Sequence, residues 1–202
     1  MPTDFVYLAS GSPRRRELLQ QIGVPFRVVV GAAVDEAWLS GEAAGSYVTR
    51  LAAAKADAGW ERTRDTADVP VLAADTAVVL DGKILGKPAD REDAGSMLRR
   101  LSGRTHEVLT AVALRTAKGL HSRISRSEVT FRNIAAAEAQ AYWDTGEPLD
   151  KAGAYAIQGR AAVFIAQLHG SYSGVMGLPL FETAELLSEA GVLRWNGRGQ
   201  SR

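Results

Sequence analysis

The run Ser10-Gly11-Ser12-Pro13-Arg14-Arg15-Arg16 follows an apolar stretch and opens a helix with three arginines in its first turn. Cations are unfavourable at the positive end of a helix dipole, where Asp or Glu is the usual choice. An anion bound there removes the conflict, because free N–H groups and guanidinium groups can hold it together. Phosphate is the natural candidate. The competing reading makes Ser12 the helix cap, puts Pro13 at the first helical position and leaves the arginines solvated.

A second feature is Asp75, set between the apolar residues 69–74 and 77–80. A carboxylate between two buried segments is costly unless it is paired, bound to metal or placed at a cleft edge. The carboxyl end of a buried strand is also where α/β proteins place ligands. The alternative is a turn that Asp75 caps through its own backbone. Asp35-Glu36, beyond a short strand, could supply oxygen ligands to Mg²⁺ or Mn²⁺, or lie in a solvated loop. Lys55 falls on the apolar side of its helix, one turn after Val48, Leu51 and Ala52. Lys87 ends a hairpin in Leu85-Gly86-Lys87-Pro88. Together with Arg14 and Arg15 these lysines could neutralise a triphosphate, which carries roughly four negative charges, alongside a divalent metal. Gln158, in the small-residue run 150–159, has an amide that can pair with a nucleobase edge through one donor and one acceptor. A structural loop amide is its alternative. His106, His121 and His169 show no metal-ligand spacing, no Ser/His/Asp arrangement stands out, and the tryptophans read as packing.

Several elements must position these groups. Residues 5–9 and 26–30 read as short buried strands around a helix over 14–22. An alanine-rich helix spans 46–60, followed by a charged connector to 68. A buried strand over 69–74 runs into Asp75-Thr76. Residues 78–80 and 83–85 form a hairpin across Asp81-Gly82, a strong two-residue turn signal. Asp90 caps a helix over 91–101, with Gly103 just beyond it. Two long strands, 107–115 and 120–131, pair across Lys118-Gly119. A helix over 135–146, a strand over 163–165, a flexible loop over 170–177 and a helix over 179–190 complete the chain. The alternation predicts an α/β protein with one mixed sheet and flanking helices.

The length of 202 residues suits one well-buried core or two small lobes around a cleft. With 46% hydrophobic and 23% charged residues the composition is that of a soluble globular protein. A net charge of +1 provides no global field for nucleic acid or an anionic membrane, so a polyanion site must be built locally. The absence of cysteine excludes disulfides, thiolate–zinc sites and cysteine nucleophiles. No signal peptide or membrane-length apolar segment is visible, which makes a cytoplasmic location the expectation.

In this order, Leu8-Ala9-Ser10-Gly11-Ser12-Pro13-Arg14-Arg15, Val34-Asp35-Glu36, Lys55, Ala74-Asp75-Thr76, Leu85-Gly86-Lys87-Pro88, Gly103-Arg104-Thr105-His106, Lys151-Ala152-Gly153 through Gln158-Gly159 and Gly177-Leu178-Pro179 resemble the Maf-like nucleoside triphosphate pyrophosphatases. The resemblance runs from about residue 5 to 190. It implies one Maf-like domain over 1–193, with 194–202 as a polar tail. It also implies an elongated mixed sheet with two lobes around a nucleotide cleft, similar to inosine triphosphate pyrophosphatases, in a protein that is often a homodimer. The implied reaction cleaves a nucleoside triphosphate between its α and β phosphates. Asp75 matches the proton acceptor, and Arg14, Thr76 and Gln158 match specificity positions. Ser10, Ser12, Arg15, Lys55 and Lys87 are expected at the phosphates, and Glu36 with Asp75 at a divalent metal. Relatives acting on 7-methyl-GTP carry tryptophan in place of Thr76 and glutamate in place of Gln158. Their cationic base favours an aromatic face and a carboxylate, whereas a neutral pyrimidine edge suits an amide. The resemblance therefore implies hydrolysis of dTTP and UTP, and of modified pyrimidine triphosphates as a further option. The alternatives are a 7-methyl-GTP pyrophosphatase or a nucleotide-binding regulator of cell division.

Overall fold

The computed structural model describes residues 5–30, 33–63 and 68–192; the expected tail over 194–202 lies outside them. Seven strands form one mixed sheet in the order β2-β1-β3-β5-β6-β7, with β4 also paired to β3. Strand β1 (Val6–Leu8) runs parallel to both β2 (Phe26–Val28) and β3 (Val71–Leu80). The remaining pairs are antiparallel: β3 with β4 (Lys83–Leu85) and β5 (Thr105–Thr116), then β5 with β6 (Gly119–Phe131), and β6 with β7 (Ile165–His169).

Local chemistry accounts for much of this. Asp81 and Gly82 have φ of 52° and 72°, so both central residues of the β3–β4 turn take the left-handed conformation a tight hairpin needs. Helix α3 (Arg91–Leu101) starts at Asp90, whose side chain accepts the Asp93 N–H. Helix α2 (Ala44–Thr63) lies on one face of the sheet, with Val48, Leu51, Ala52, Ala56 and Gly59 buried. Small residues on both partners let it come close. A Cβ on Gly59 would stand 2.8 Å from Val71 Cγ1 and 3.0 Å from the Ala9 Cβ.

The opposite face carries two apolar clusters. Helices α1 (Pro13–Gln21) and α6 (Leu180–Glu189) cover the first, which includes Leu18, Leu19, Leu72, Ala74, Val112, Leu114, Leu186 and Leu187. The second joins Val78, Leu80, Leu98, Leu101, Val108, Phe131 and Tyr142, under α3 and α4 (Ala136–Trp143). Between them on the central strands lies one polar pair, Thr76 opposite Thr110. That seam separates the two lobes.

The structure departs from expectation at four places. The strand through Asp75 does not stop there: β3 is continuous from Val71 to Leu80, since its pairing with β5 runs from Val71 to Val79 without interruption. Strand β2 is half-buried to exposed rather than buried, because it is the sheet's edge. The strand expected over 163–165 begins at Ile165, and a 3-10 turn occupies Arg160–Phe164. The loop over 170–177 contains a short helix, α5 (Tyr172–Met176), capped by the Ser171 side chain on the Gly174 N–H.

Candidate active site

Consecutive residues of a strand point to opposite faces of a sheet, so Asp75 and Thr76 would ordinarily be separated by it. Here β1 pairs with β3 only at Val71 and Leu72, and β4 begins pairing at Val78. Residues 73–77 therefore present a bare edge, and a cavity of about 480 Å³ opens onto it, lined by both side chains. Ala9 donates its N–H to the Leu72 carbonyl across this edge at 2.8 Å. By strand alternation, the N–H and C=O of Ala74 and Thr76 leave the sheet on the same side.

On the α2 side, Lys55 Nζ stands 2.7 Å from Asp75 Oδ1 and 2.6 Å from Glu36 Oε1. The helical face that buries Val48, Leu51 and Ala52 aims this lysine at the sheet. Asp75 is only 8% exposed. Burial pushes its carboxyl above the ordinary carboxylate value, against the pull of Lys55 and Arg15, and the Glu36 carboxylate adds to the rise. Glu36 shifts the other way: the hydrogen bond from Lys55 holds it low against a smaller burial cost. Burial depresses the Lys55 ammonium, but the Asp75 and Glu36 carboxylates outweigh it and raise its pKa.

On the α1 side, Arg15 is fixed by three acceptors. Its Nε donates to the Gly177 carbonyl at 2.7 Å, Nη1 to Ser10 Oγ at 3.2 Å and Nη2 to Thr76 Oγ1 at 3.5 Å. Arg14 Nε donates to the Met176 carbonyl at 3.4 Å. Ser12 makes no side-chain cap, and the first turn of α1 contains no acidic residue. Ser12 does occupy the N-cap position with Pro13 at the start of the helix, as the competing reading expects, but its side chain caps nothing, and the helix N-terminus faces the cavity.

All the candidate residues except Ser10 and Asp35 line the cavity; Asp35 is exposed and accepts the Ala37 N–H at 2.9 Å. Ser10 stands behind the cavity, accepting from Arg15 and from the Ser12 N–H at 3.2 Å. Lys87 and Gln158 line the cavity as exposed residues. Five cationic side chains line the cavity against three carboxylates, in a chain whose net charge is only +1.

Three contributors escaped sequence reading. Lys151, ion-paired with Asp150, lines the cavity with only 14% of its side chain exposed; its position at the head of a small-residue run was the available signal. Tyr47, two helical turns before Lys55, donates to the Glu36 carbonyl at 3.0 Å. Thr110, 1% exposed, donates to the Gly174 carbonyl at 2.7 Å and lies 3.0 Å from Thr76 Oγ1. A hydroxyl has one proton; with the Thr110 proton on Gly174, Thr76 is the donor between the two threonines. A lone polar residue inside an otherwise apolar stretch of β5 was its only mark in the sequence.

The donor set can be tested against a divalent cation. Lys55 engages one oxygen of each carboxylate, leaving Glu36 Oε2 and Asp75 Oδ2. Among the described residues no group of three His, Cys, Asp or Glu side chains is arranged to hold a metal. Two carboxylates beside a cavity rich in cations nevertheless fit Mg²⁺, which is commonly held by one or two carboxylates together with phosphates and water.

The fold is that of the HAM1 proteins. The HAM1 protein from Coxiella burnetii superposes with a TM-score of 0.50 at 17% identity, covering 93% of this chain and 100% of that one. Residues 5–190 match the Maf family, described as Maf-like protein, and the chain belongs to that family. Among its relatives, the dTTP/UTP pyrophosphatase of Cupriavidus metallidurans is 54% identical over 94% of this chain and 98% of its own length. The dTTP/UTP pyrophosphatase of Methylococcus capsulatus is 56% identical over 92% of this chain and 90% of its own. No helix among the described residues is long and apolar enough to cross a membrane.

Proposed function

We propose that this chain hydrolyses dTTP and UTP to the nucleoside monophosphate and pyrophosphate, acting on the cytoplasmic nucleotide pool. The observation that carries this is the buried carboxylate of Asp75 facing a helix N-terminus and a surplus of cations across one cavity. The names and identities of the relatives support the choice of substrate.

In this reading Arg14, Lys87 and the N–H groups opening α1 bind the phosphates, with Ser12 at the mouth of the same turn. Arg15, held by Ser10 and Gly177, fixes the wall and contributes its charge. Lys55 holds Oδ1 of Asp75, so Oδ2 is the oxygen that receives a proton. A water against Oδ2 loses that proton as its oxygen attacks the α-phosphorus, and the bond to the bridging oxygen breaks to release pyrophosphate. Lys87 and Arg14 stabilise the charge that accumulates on the leaving group. The elevated pKa of Asp75 makes it a stronger base than an exposed aspartate. Glu36 and Asp75 would hold a divalent cation, Mg²⁺ or Mn²⁺, which when bound neutralises phosphate charge and lowers the pKa of water. Thr76 and Gln158 read the neutral pyrimidine edge.

Product analysis tests the reading. Purified protein with Mg²⁺ or Mn²⁺ is expected to give monophosphate and pyrophosphate from dTTP and UTP, with CTP and 7-methyl-GTP poorer substrates. Turnover confined to 7-methyl-GTP would overturn the roles of Thr76 and Gln158.

A further inference from the structure

Gln158 sits on an irregular segment between two 3-10 turns, Ala152–Ala154 and Arg160–Phe164. A mobile loop makes a poor reader of a base, because ordering it on binding costs on the order of 1 kcal/mol per residue. Two side chains outside the cavity hold this one. Tyr142 is 4% exposed in the core beneath α4, and its hydroxyl accepts the Ala156 N–H at 3.1 Å. The same hydroxyl donates to Glu147 Oε1 at 2.7 Å, and Glu147 Oε2 accepts the Arg160 N–H at 3.0 Å. The backbone is thereby pinned two residues before Gln158 and two residues after it. Between the anchors, Ile157 is buried at 5% in the second apolar cluster, and Gly159 has no side chain. A Cβ on Gly159 would land on the Glu147 carboxylate, so glycine is required for the clamp to close. Tyr155, Ala156 and Ile157 also line the cavity, but they are buried, and Gln158 is the exposed polar side chain the segment presents to it.

From this geometry we infer that Tyr142 and Glu147 are positioning residues that preorganise Gln158 and so set base selectivity. The inference rests on the proposed role of Gln158 as a base reader. The chemistry calls for a carboxylate at 147. The two N–H groups and the phenol proton need three acceptors: the Tyr142 oxygen and both oxygens of Glu147. An amide there presents a donor to one side, so either the phenol proton or the Arg160 N–H loses its partner.

The test measures kcat/KM for UTP and CTP in Glu147→Ala, Glu147→Gln, Tyr142→Phe, Gln158→Ala and the double variant Glu147→Ala/Gln158→Ala, with thermal melts on each. Glu147→Ala is expected to reduce the UTP/CTP ratio by about 10-fold, the scale of one hydrogen bond to the base. Glu147→Gln and Tyr142→Phe should give smaller losses. Adding Glu147→Ala to Gln158→Ala should lower the ratio no further, since both remove the same contact. A purely structural role predicts equal losses for both nucleotides and an unchanged ratio, which would overturn the clamp, as would additivity in the double variant. If Gln158→Ala itself leaves the ratio unchanged, the base-reading role fails and this inference fails with it. If only the Glu147 and Tyr142 variants leave it unchanged, the clamp alone is wrong.

Discussion

Asp75→Asn separates the energetic and chemical roles of one side chain. The amide keeps the shape of the carboxylate and can still accept from Lys55 Nζ, which also retains Glu36 at 2.6 Å. Removing one charge from a hydrogen-bonded ion pair costs about 1.5–3 kcal/mol when nothing else changes. Here the charge is also penalised, because burial raises the Asp75 pKa despite Lys55 and Arg15. A carboxyl whose pKa is higher in the folded state stabilises the fold below its unfolded value and loses that contribution as pH rises through the folded value. Rising pH therefore takes that contribution from the wild type, and Asn carries no such penalty. The two effects oppose each other, so metal-free Asp75→Asn should stay within about 1 kcal/mol of wild type at pH 7, or within about 4 °C in Tm. It should also be more stable relative to wild type at pH 7 than at pH 4. Turnover behaves differently: losing a general base costs typically 10²–10⁴-fold in kcat, with KM for dTTP and UTP little changed. The assay is pyrophosphate release from each nucleotide, with melts in EDTA. Retention of turnover within about 10-fold of wild type would refute Asp75 as the base.

Two further outcomes follow from buried polar groups. Thr110→Val keeps the volume, removes one of the two donors to the Gly174 carbonyl, which keeps the Gly177 N–H, and leaves the Thr76 hydroxyl without its acceptor. It should cost about 1–3 kcal/mol in a thermal melt and raise KM for UTP, and an unchanged KM would detach Thr110 from the site. His106 is 2% exposed and 2.8 Å from the Tyr155 hydroxyl, and burial lowers its pKa from 6.5 to about 4. A histidine depressed on folding stabilises the fold above its unfolded pKa and loses that stability as pH falls, so wild type should lose roughly 3 kcal/mol between pH 6.5 and about pH 4. His106→Gln should flatten that acid limb in denaturant titrations at several pH values; an unchanged slope would mean His106 titrates normally.

Local signals carried much of the structure. Asp81-Gly82 specified a hairpin through residues that tolerate positive φ, and Asp90 specified a helix start through its side-chain cap. The helical period put Lys55 on the buried face, where Asp75 meets it. What local reading could not supply was pairing. Asp75 and Thr76 looked like the end of a strand because a carboxylate is unfavourable inside one. Only tertiary structure shows that β3 continues and that its edge there is bare. The exposure of β2 likewise follows from its place at the sheet margin, which Phe26 and Val28 on either side of Arg27 do not announce. Thr110, Tyr142 and Glu147 reach the site through partners 34, 14 and 13 residues away, a distance no periodicity encodes.

The bare edge of β3 also bears on how such a protein changes over time. It sets the proposed base and the proposed reader one residue apart on a single rigid strand, yet facing different neighbours. Asp75 hydrogen-bonds Lys55 of α2 and Thr76 hydrogen-bonds Arg15 and Thr110, with the charge of Arg15 felt on both sides. Substitutions that repack the Thr76 side can alter which nucleotide is accepted while the groups around Asp75 stay as they are. The sheet acts as a partition between two sets of side chains, so a substitution that reshapes the Thr76 side can leave the Lys55–Asp75 pair on the other side in place.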